Sequence, residues 1–325
     1  MQLKKILIIR FSSIGDLVLT TPVIRCTKQQ VPGVELHVVT RESFRAVLAH
    51  NPFVDKLHTF QEDISEVYTQ LKEEKYDVVI DLHKNIRSLR LKRQLKTTNF
   101  SFNKINLRKF LAVNFKMLRL LPHIHIVDRY FEAVAPLGVK NTGHGLDYFI
   151  APAEEIDLQS VSPGLVSSPY VVLVVGGSYY TKKIPLEKLK EICSQLRLPV
   201  VLLGGKEDKE VANGLQQEFP TLVNGCGMYS LNQSASFIRQ AEWVISSDTG
   251  LMHIASAFRK KIISIWGNTI PEFGMAPYLP EPENKILEVK GLSCRPCSKL
   301  GYGKCPLGHF KCMKDQDVAD LGNLI

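Results

Sequence analysis

Val244-Ile245-Ser246-Ser247-Asp248-Thr249-Gly250-Leu251-Met252-His253-Ile254-Ala255 reads as a buried strand, a tight polar turn and the first turns of a helix. The apolar run ending at Ile245 fits a strand covered on both faces, as in a parallel sheet. Ser247 and Asp248 are N-capping residue types, and Gly250 lets the backbone come close to a bound group. The amides of Thr249, Gly250 and Leu251 then leave the helix N-terminus without intrahelical partners. That is a site for phosphate, to which His253, one turn further on, could add a donor. Ordinary strand-to-helix turns look similar, so the weight of this one comes from what surrounds it.

Outward from that turn, both halves of the chain repeat strand, polar loop and helix. The first half predicts strands at Lys5–Arg10, Glu35–Thr40 and Asp77–Leu82. The second predicts them at Tyr170–Val175, Val200–Leu203, Trp243–Ser246 and Ile262–Trp266. Between them lie helical patterns such as Leu186, Leu189, Ile192, Cys193 and Leu196, spaced by three and four residues. This alternation predicts an α/β protein of two doubly wound, Rossmann-like domains facing a central cleft. A chain of 325 residues exceeds one ordinary core. The Pro-, Gly- and Ser-containing stretch Ala151–Pro169 is the expected linker, between an N-terminal domain at 1–155 and a C-terminal domain at 165–325. A last helix crossing back to the first domain is also compatible with this division.

Hydrophobic residues make up 45% and charged residues 22%, the balance of a soluble globular enzyme. The opening Met1–Ile9 resembles a secretory leader, but its apolar run stops at Arg10 and no small-residue cleavage site follows. No apolar stretch approaches the roughly 20 residues that span a bilayer. A cytoplasmic location follows as the expectation, with peripheral contact at the inner face of the membrane. The net charge is +9, and its placement is uneven. Between Lys84 and Arg129 there are twelve Lys or Arg residues and one acid, Asp128, or +11 locally. Such a run is either a solvated helical face or a surface for an anionic partner. Nucleic acid, anionic lipid and a phosphorylated sugar all satisfy the charge.

Strand one runs into Phe11-Ser12-Ser13-Ile14-Gly15-Asp16-Leu17. In an open parallel sheet, ligands bind beyond the carboxyl ends of the strands, where this loop sits. Asp16 is either a helix N-terminal acid favoured by the dipole or a general base that accepts a proton from an acceptor hydroxyl. The spaced glycines of a dinucleotide fingerprint are absent, which argues against a nicotinamide enzyme. The second half opens with Gly176-Gly177-Ser178-Tyr179-Tyr180-Thr181-Lys182-Lys183-Ile184-Pro185. A lysine here can place its ammonium on a diphosphate, so Lys182 and the Asp248–His253 turn would grip one from two sides. After strand Val200–Leu203, either Glu207 or Asp208 could bond ribose hydroxyls.

Taken together and in order, R-F-S-S-I-G-D-L-V-L-T-T-P, T-K-K-I-P, S-D-T-G-L-M-H-I-A and I-W-G-N-T-I-P resemble the family 9 glycosyltransferases, the heptosyltransferases of lipopolysaccharide core synthesis. The resemblance covers nearly the whole chain. It implies the GT-B fold and transfer of a sugar, usually from ADP-heptose, with inversion and with no cofactor or metal required. It implies that Asp16 is the catalytic base, that Lys182, with Thr181 of the same motif, and the Thr249–Leu251 turn hold the donor phosphates, and that Asp248 holds the donor sugar hydroxyls. It places Asp208 on the ribose, Tyr229 near the adenine, and Arg108 and Arg129 toward an anionic, lipid-linked saccharide acceptor. Two positions depart from the pattern. Ile184 stands for the usual aromatic and Lys183 for arginine, which leaves the finer donor preference open. The chemistry agrees with the residues: a diphosphate held by amides and a lysine leaves readily, and one carboxylate on the opposite face suffices for a single, inverting displacement.

Cys294, Cys297, Cys305 and Cys312 lie in C-R-P-C-S-K-L-G-Y-G-K-C-P-L-G-H-F-K-C. The C-x-x-C pair in a reducing compartment favours a structural zinc over disulfides, although the later spacings are not those of a zinc ribbon; reduced thiols in a loop are the alternative. Cys26, Cys193 and Cys226 read as small buried residues. A rival reading makes the chain an RNA- or anionic-membrane-binding module built on Lys84–Arg129. It accounts for the charge but not for Asp16 or the two phosphate loops, and the segment's phenylalanines read as helix faces rather than base-stacking platforms. No nucleic-acid partner is therefore expected.

Overall fold

The computed structural model describes residues 3–325, so Met1 and Gln2 of the leader-like opening lie outside the described residues. The chain divides into two compact units, Met1–Ile105 with Ile124–Phe149, and Asn106–His123 with Ile150–Ile325. The first carries β1 (Lys5–Ile9), β2 (Glu35–Arg41), β3 (Lys56–Phe60), β4 (Val78–Asp81) and β5 (Thr98–Ser101). They lie in the spatial order β3-β2-β1-β4-β5, every neighbouring pair parallel. The apolar opening is β1, the central strand, with Ile6, Leu7, Ile8 and Ile9 fully buried. Burial on both faces explains why it reads as a continuous apolar run.

The second unit carries β6 (Val171–Val174), β7 (Val200–Leu203), β8 (Val223–Asn224), β9 (Trp243–Ser247), β10 (Lys261–Trp266) and β11 (Lys285–Glu288). Their order is β11-β10-β9-β6-β7-β8, again parallel. All the expected strands are present to within a residue or so at each end. β3, β5, β8 and β11 were not expected from the sequence. In each sheet the strand order reverses beside the first strand, between β1 and β4 and between β6 and β9. In sheets of this kind the loops leaving the carboxyl ends diverge at such a point, the usual place for a ligand. No helix among the described residues is long and apolar enough to cross a membrane.

The domain division differs from the expected 1–155 and 165–325 chiefly in one insertion. Residues 106–123 fall with the second unit, because Ala112 and Leu121 bury against Ile270 and Phe273 of that unit. The last helix, Leu321–Leu324, also stays with the second unit: Val318 and Leu321 are part of its core beside Leu189 and Ile192. The linker is not unstructured, for it contains the short helices Leu158–Val161 and Gly164–Ser167.

Two buried histidines of the first unit give its stability a pH dependence. His58 sits on β3 with Nε2 3.1 Å from His37 Nδ1 and 3.1 Å from the Tyr76 hydroxyl. Burial, reinforced by His37, lowers its pKa from 6.5 to about 4. Burial, then the charges of Arg10 and Lys104, lowers that of His83 from 6.5 to about 3. The folded chain refuses protons that the unfolded chain binds. The contribution is therefore complete above about pH 6.5 and is lost as pH falls toward 4 for His58 and toward 3 for His83. Melting temperature should fall between pH 7 and pH 4, and fall less steeply in His58→Gln, where that histidine no longer titrates. A His58→Gln melting curve with the wild-type pH slope would show that another group sets the dependence.

Candidate functional site

In the first unit, Arg10, Phe11, Ser12 and Ser13 follow β1, and Asp16 lies in the helix Ile14–Val18. Asp16 Oδ1 stands 2.6 Å from Arg10 Nη2. Its Oδ2 accepts from the Ser13 hydroxyl at 2.9 Å and from the Ser13 amide at 3.3 Å. About a quarter of the Asp16 side chain stays exposed. Arg10 is itself held by donating through Nε to Ser12 O (2.7 Å) and through Nη1 to Leu82 O (2.6 Å) and the Tyr130 hydroxyl (3.0 Å). Burial opposes the Arg10 charge, but Asp16, Tyr130 and Asp81 outweigh it and raise its pKa above the ordinary value. The carboxylate is thus oriented by a permanent cation on one oxygen and by Ser13 on the other, while the side chain stays partly exposed to solvent.

The loop after β4 completes this corner. Asp81, buried at the end of β4, accepts from the amides of His83 (3.0 Å) and Lys84 (2.7 Å) and from the Ser88 hydroxyl (2.9 Å). It also pairs with Lys92 at 3.0 Å. Several cations of the basic segment are thus spent within the fold: Lys84 donates to Phe102 O and Lys104 to His83 O, each at 2.9 Å. The two expected acceptor arginines belong to different units. Arg129 is buried in the first unit, with its pKa lowered by burial. Arg108 is exposed and belongs to the second unit.

In the second unit, Lys182 and Asp248 come from the loops after β6 and β9 and meet at 2.6 Å. Thr269, just after β10, donates to the same Asp248 oxygen at 3.0 Å. The helix Gly250–Ala257 follows, capped by Thr249 in extended conformation rather than by Ser247 or Asp248. Ser247 still belongs to β9, which runs one residue further than expected. Thr249, Gly250 and Leu251 are partly exposed at that helix N-terminus, and His253 is buried behind it. The turn stands at a helix N-terminus, as the sequence predicts.

Thr181 and Asp208 are both engaged inside the protein. Thr181 is buried, accepts from Tyr302 N at 2.8 Å and donates from its own amide to Tyr302 O at 3.2 Å. It clasps the Lys182 loop to the cysteine-rich segment. Gly301 completes the clasp: with φ +138°, it lies so close to Tyr179 that a Cβ would sit 2.6 Å from that side chain. Asp208 is buried, paired with Lys183 at 2.5 Å and accepting from Gly205 N at 2.9 Å. Tyr229 is half-buried, its ring 4.8 Å from that of Phe237, and burial raises its pKa. Sequence reasoning gave no role to Arg10, Thr269 or Tyr302. The first two lie inside the quoted motifs, which was the available signal; Tyr302 carried none.

Among the described residues, the one set of three His, Cys or carboxylate groups with ligand atoms within 4.8 Å is His37, His58 and Glu74. Lys5 (2.6 Å) and Lys56 (2.5 Å) already hold the Glu74 carboxylate, so this set is a hydrogen-bonded ionic network. The four C-terminal cysteines form no such set. Cys312 lies in the core, with Cys305 packed against it. Burial raises the pKa of Cys297 to about 11 and of Cys312 to about 12, with neighbouring thiols adding to both.

A model of glycosyltransferase family 9 (heptosyltransferase) matches residues 64–301. Lipopolysaccharide heptosyltransferase 1 of Campylobacter coli is 24% identical over 288 residues, covering 82% of this chain and 84% of the relative. Among solved structures, the glycosyl transferase family 9 protein of Veillonella parvula superposes with a TM-score of 0.74 at 22% identity, covering 88% of this chain and 87% of that one. The ADP-heptose lps heptosyltransferase II of E. coli gives a TM-score of 0.68 at 18% identity, covering 98% and 96%. The fold, two doubly wound α/β units, is that of these enzymes.

Lys182→Ala tests the grip on phosphate. It removes a charged donor and leaves Asp248 without its counter-ion beside the incoming diphosphate. ADP binding should weaken by about 1.5–3 kcal/mol in calorimetry, whereas adenosine binding should change little. Equal losses for both ligands would place Lys182 away from the phosphates.

Proposed function

The chain belongs to glycosyltransferase family 9 and is a glycosyltransferase, and from that premise we propose that it transfers heptose from ADP-heptose, with inversion, to the core of a lipopolysaccharide or a related lipid-linked acceptor. The observation that carries the reading is the meeting of Lys182 and Asp248 at the point where the second sheet reverses its strand order, beside the helix N-terminus at Thr249–Leu251. Ammonium, amides and carboxylate are the groups that a sugar nucleotide needs: the first two for the diphosphate, the last for sugar hydroxyls. The relatives' names, heptosyltransferases of lipopolysaccharide, supply the sugar and the acceptor class.

In this reading the reaction is a single displacement. The acceptor hydroxyl attacks the anomeric carbon as the bond to the diphosphate breaks, and Asp16 takes the hydroxyl proton. Arg10 and Ser13 hold the carboxylate in one orientation, so no rotamer search is needed at the moment of transfer. Lys182 and the Thr249–Leu251 amides take up the charge on the departing ADP, and the reading calls for no metal. Tyr229 would lie against the adenine. Asp208, being tied to Lys183, would serve the ribose side by holding the Gly204–Gly205 turn. A binding module without catalysis would leave the Asp16–Arg10–Ser13 arrangement without a use.

A thermal-shift panel of nucleotide sugars tests the donor, with ADP-heptose expected to raise the melting temperature more than UDP- or GDP-sugars. A larger shift with a uridine or guanosine donor would overturn the adenine assignment. Asp16→Asn keeps the shape and removes the base. Turnover should fall by roughly 10²–10⁴-fold with ADP affinity unchanged. An Asn variant of wild-type turnover would remove Asp16 from the mechanism.

A further inference from the structure

The helix Asn106–Phe115 wears its apolar residues on the outside. Leu107 is 70% exposed, Phe110 54% and Phe115 65%, while Ala112 is fully buried against Leu121, Ile270 and Phe273. Leu107, Phe110 and Leu111 recur at three- and four-residue spacing and so share one face, with Phe115 beside them. The Phe110 and Phe115 rings pack edge to face at 6.2 Å. A surface helix ordinarily points its apolar stripe inward and its polar side to water; this one reverses the rule. Contiguous exposed apolar surface of this kind marks a place where something docks.

The charge around the stripe selects the partner. No Asp or Glu occurs between Asp81 and Asp128, whereas Arg108 and Arg119 lie on or just after the helix and are exposed; the Lys116 ammonium is taken up by the backbone carbonyls of Val113, Cys294 and Pro296. A second copy of the chain docking through the same face would bring these cations against their own images, which is repulsive. An anionic bilayer satisfies both features at once: aromatic and leucine side chains enter the headgroup boundary while arginines and lysines engage the phosphates. We propose that the helix Asn106–Phe115 is a bilayer-docking element that inserts Leu107, Phe110 and Phe115 into an anionic lipid surface. The element belongs to the unit that carries Lys182 and Asp248. Docking is a property separate from sugar transfer, and its test needs neither donor nor acceptor.

The test is co-sedimentation of the full chain with vesicles of phosphatidylcholine alone and of phosphatidylcholine mixed with phosphatidylglycerol. The wild type should pellet with the mixed vesicles and not with phosphatidylcholine alone. Replacing Phe110 and Phe115 together by Ser should reduce the bound fraction about tenfold or more, since two buried rings are lost from the interface. Both side chains are exposed, so the melting temperature of this variant should match the wild type and separate lost docking from lost folding. Arg108→Gln with Arg119→Gln should weaken binding to the mixed vesicles, and added salt should weaken the wild type in the same direction. Serine variants that pellet like the wild type would overturn the proposal, as would binding insensitive to both salt and phosphatidylglycerol. A dimer, or a complex with RNA, abolished by the same substitutions in a chain that ignores vesicles would overturn it as well.

Discussion

Every strand in both sheets is parallel to its neighbours. A parallel pair cannot be joined by a tight turn, so each connection must return along the sheet, mostly through a helix, before the next strand begins. All carboxyl ends of the strands in a sheet therefore open onto one edge. Successive connections pass to opposite faces where the strand order reverses, leaving room between two loops. In the first sheet those are the loops after β1 and β4, which bring Asp16, His83 and Lys84. In the second they are the loops after β6 and β9, which bring Lys182 and Asp248. The chemistry of each unit is located by this one constraint before any particular side chain is considered.

How much of that was legible in the sequence follows from burial. The expected strands are interior ones, and the four that escaped notice, β3, β5, β8 and β11, are the four sheet edges. Interior strands such as β4, V-V-I-D, and β6, V-V-L-V, are buried at every position. The edges K-L-H-T-F, T-N-F-S, V-N and K-I-L-E are covered on fewer sides and retain polar and charged residues that keep edges from pairing with other chains. Their composition is that of loops. In the site, the turn at Asp248–Leu251, Lys182 and Asp16 could be read because each belongs to a short local pattern. The partner of Thr181 lies 121 residues away, and the Tyr130 hydroxyl that steadies Arg10 lies 120 away. Such pairs are made by the tertiary fold and leave no local trace.

Those long-range pairs also decide what the site residues do. Thr181 and Asp208 were expected on the donor because of where their motifs fall; in the fold Thr181 is bonded to Tyr302 and Asp208 to Lys183. Their neighbours Lys182 and the Gly204–Gly205 turn are held in place as a result. The cysteine-rich segment acquires a role on the same grounds. Arg295 donates to Gly267 O (2.6 Å), Val289 O (2.8 Å) and Thr269 O (3.1 Å), and Cys297 N donates to Asn268 O (3.1 Å). Tyr302, a few residues on, clasps Thr181. The segment is tied at one end to the strand that supplies Thr269 and at the other to the loop that supplies Lys182. It braces both sides of Asp248, whatever the state of its thiols.

The outward-facing helix Asn106–Phe115 joins the same scaffold from the other side. Ala112 packs on Ile270 and Phe273, which follow directly after Thr269, and Lys116 Nζ donates to Cys294 O (3.1 Å) and Pro296 O (2.7 Å) of the cysteine-rich turn. Contact thus runs without a gap from Leu107 and Phe110 at the surface, through Ala112 and Ile270, to Thr269, Asp248 and Lys182. These contacts fix positions rather than carry a signal, since a signal would need a second arrangement of the same elements. Their consequence is geometric. If the helix docks as proposed, its packing on Ile270 and Phe273 ties the docked surface to the residues beside Thr269 and Asp248.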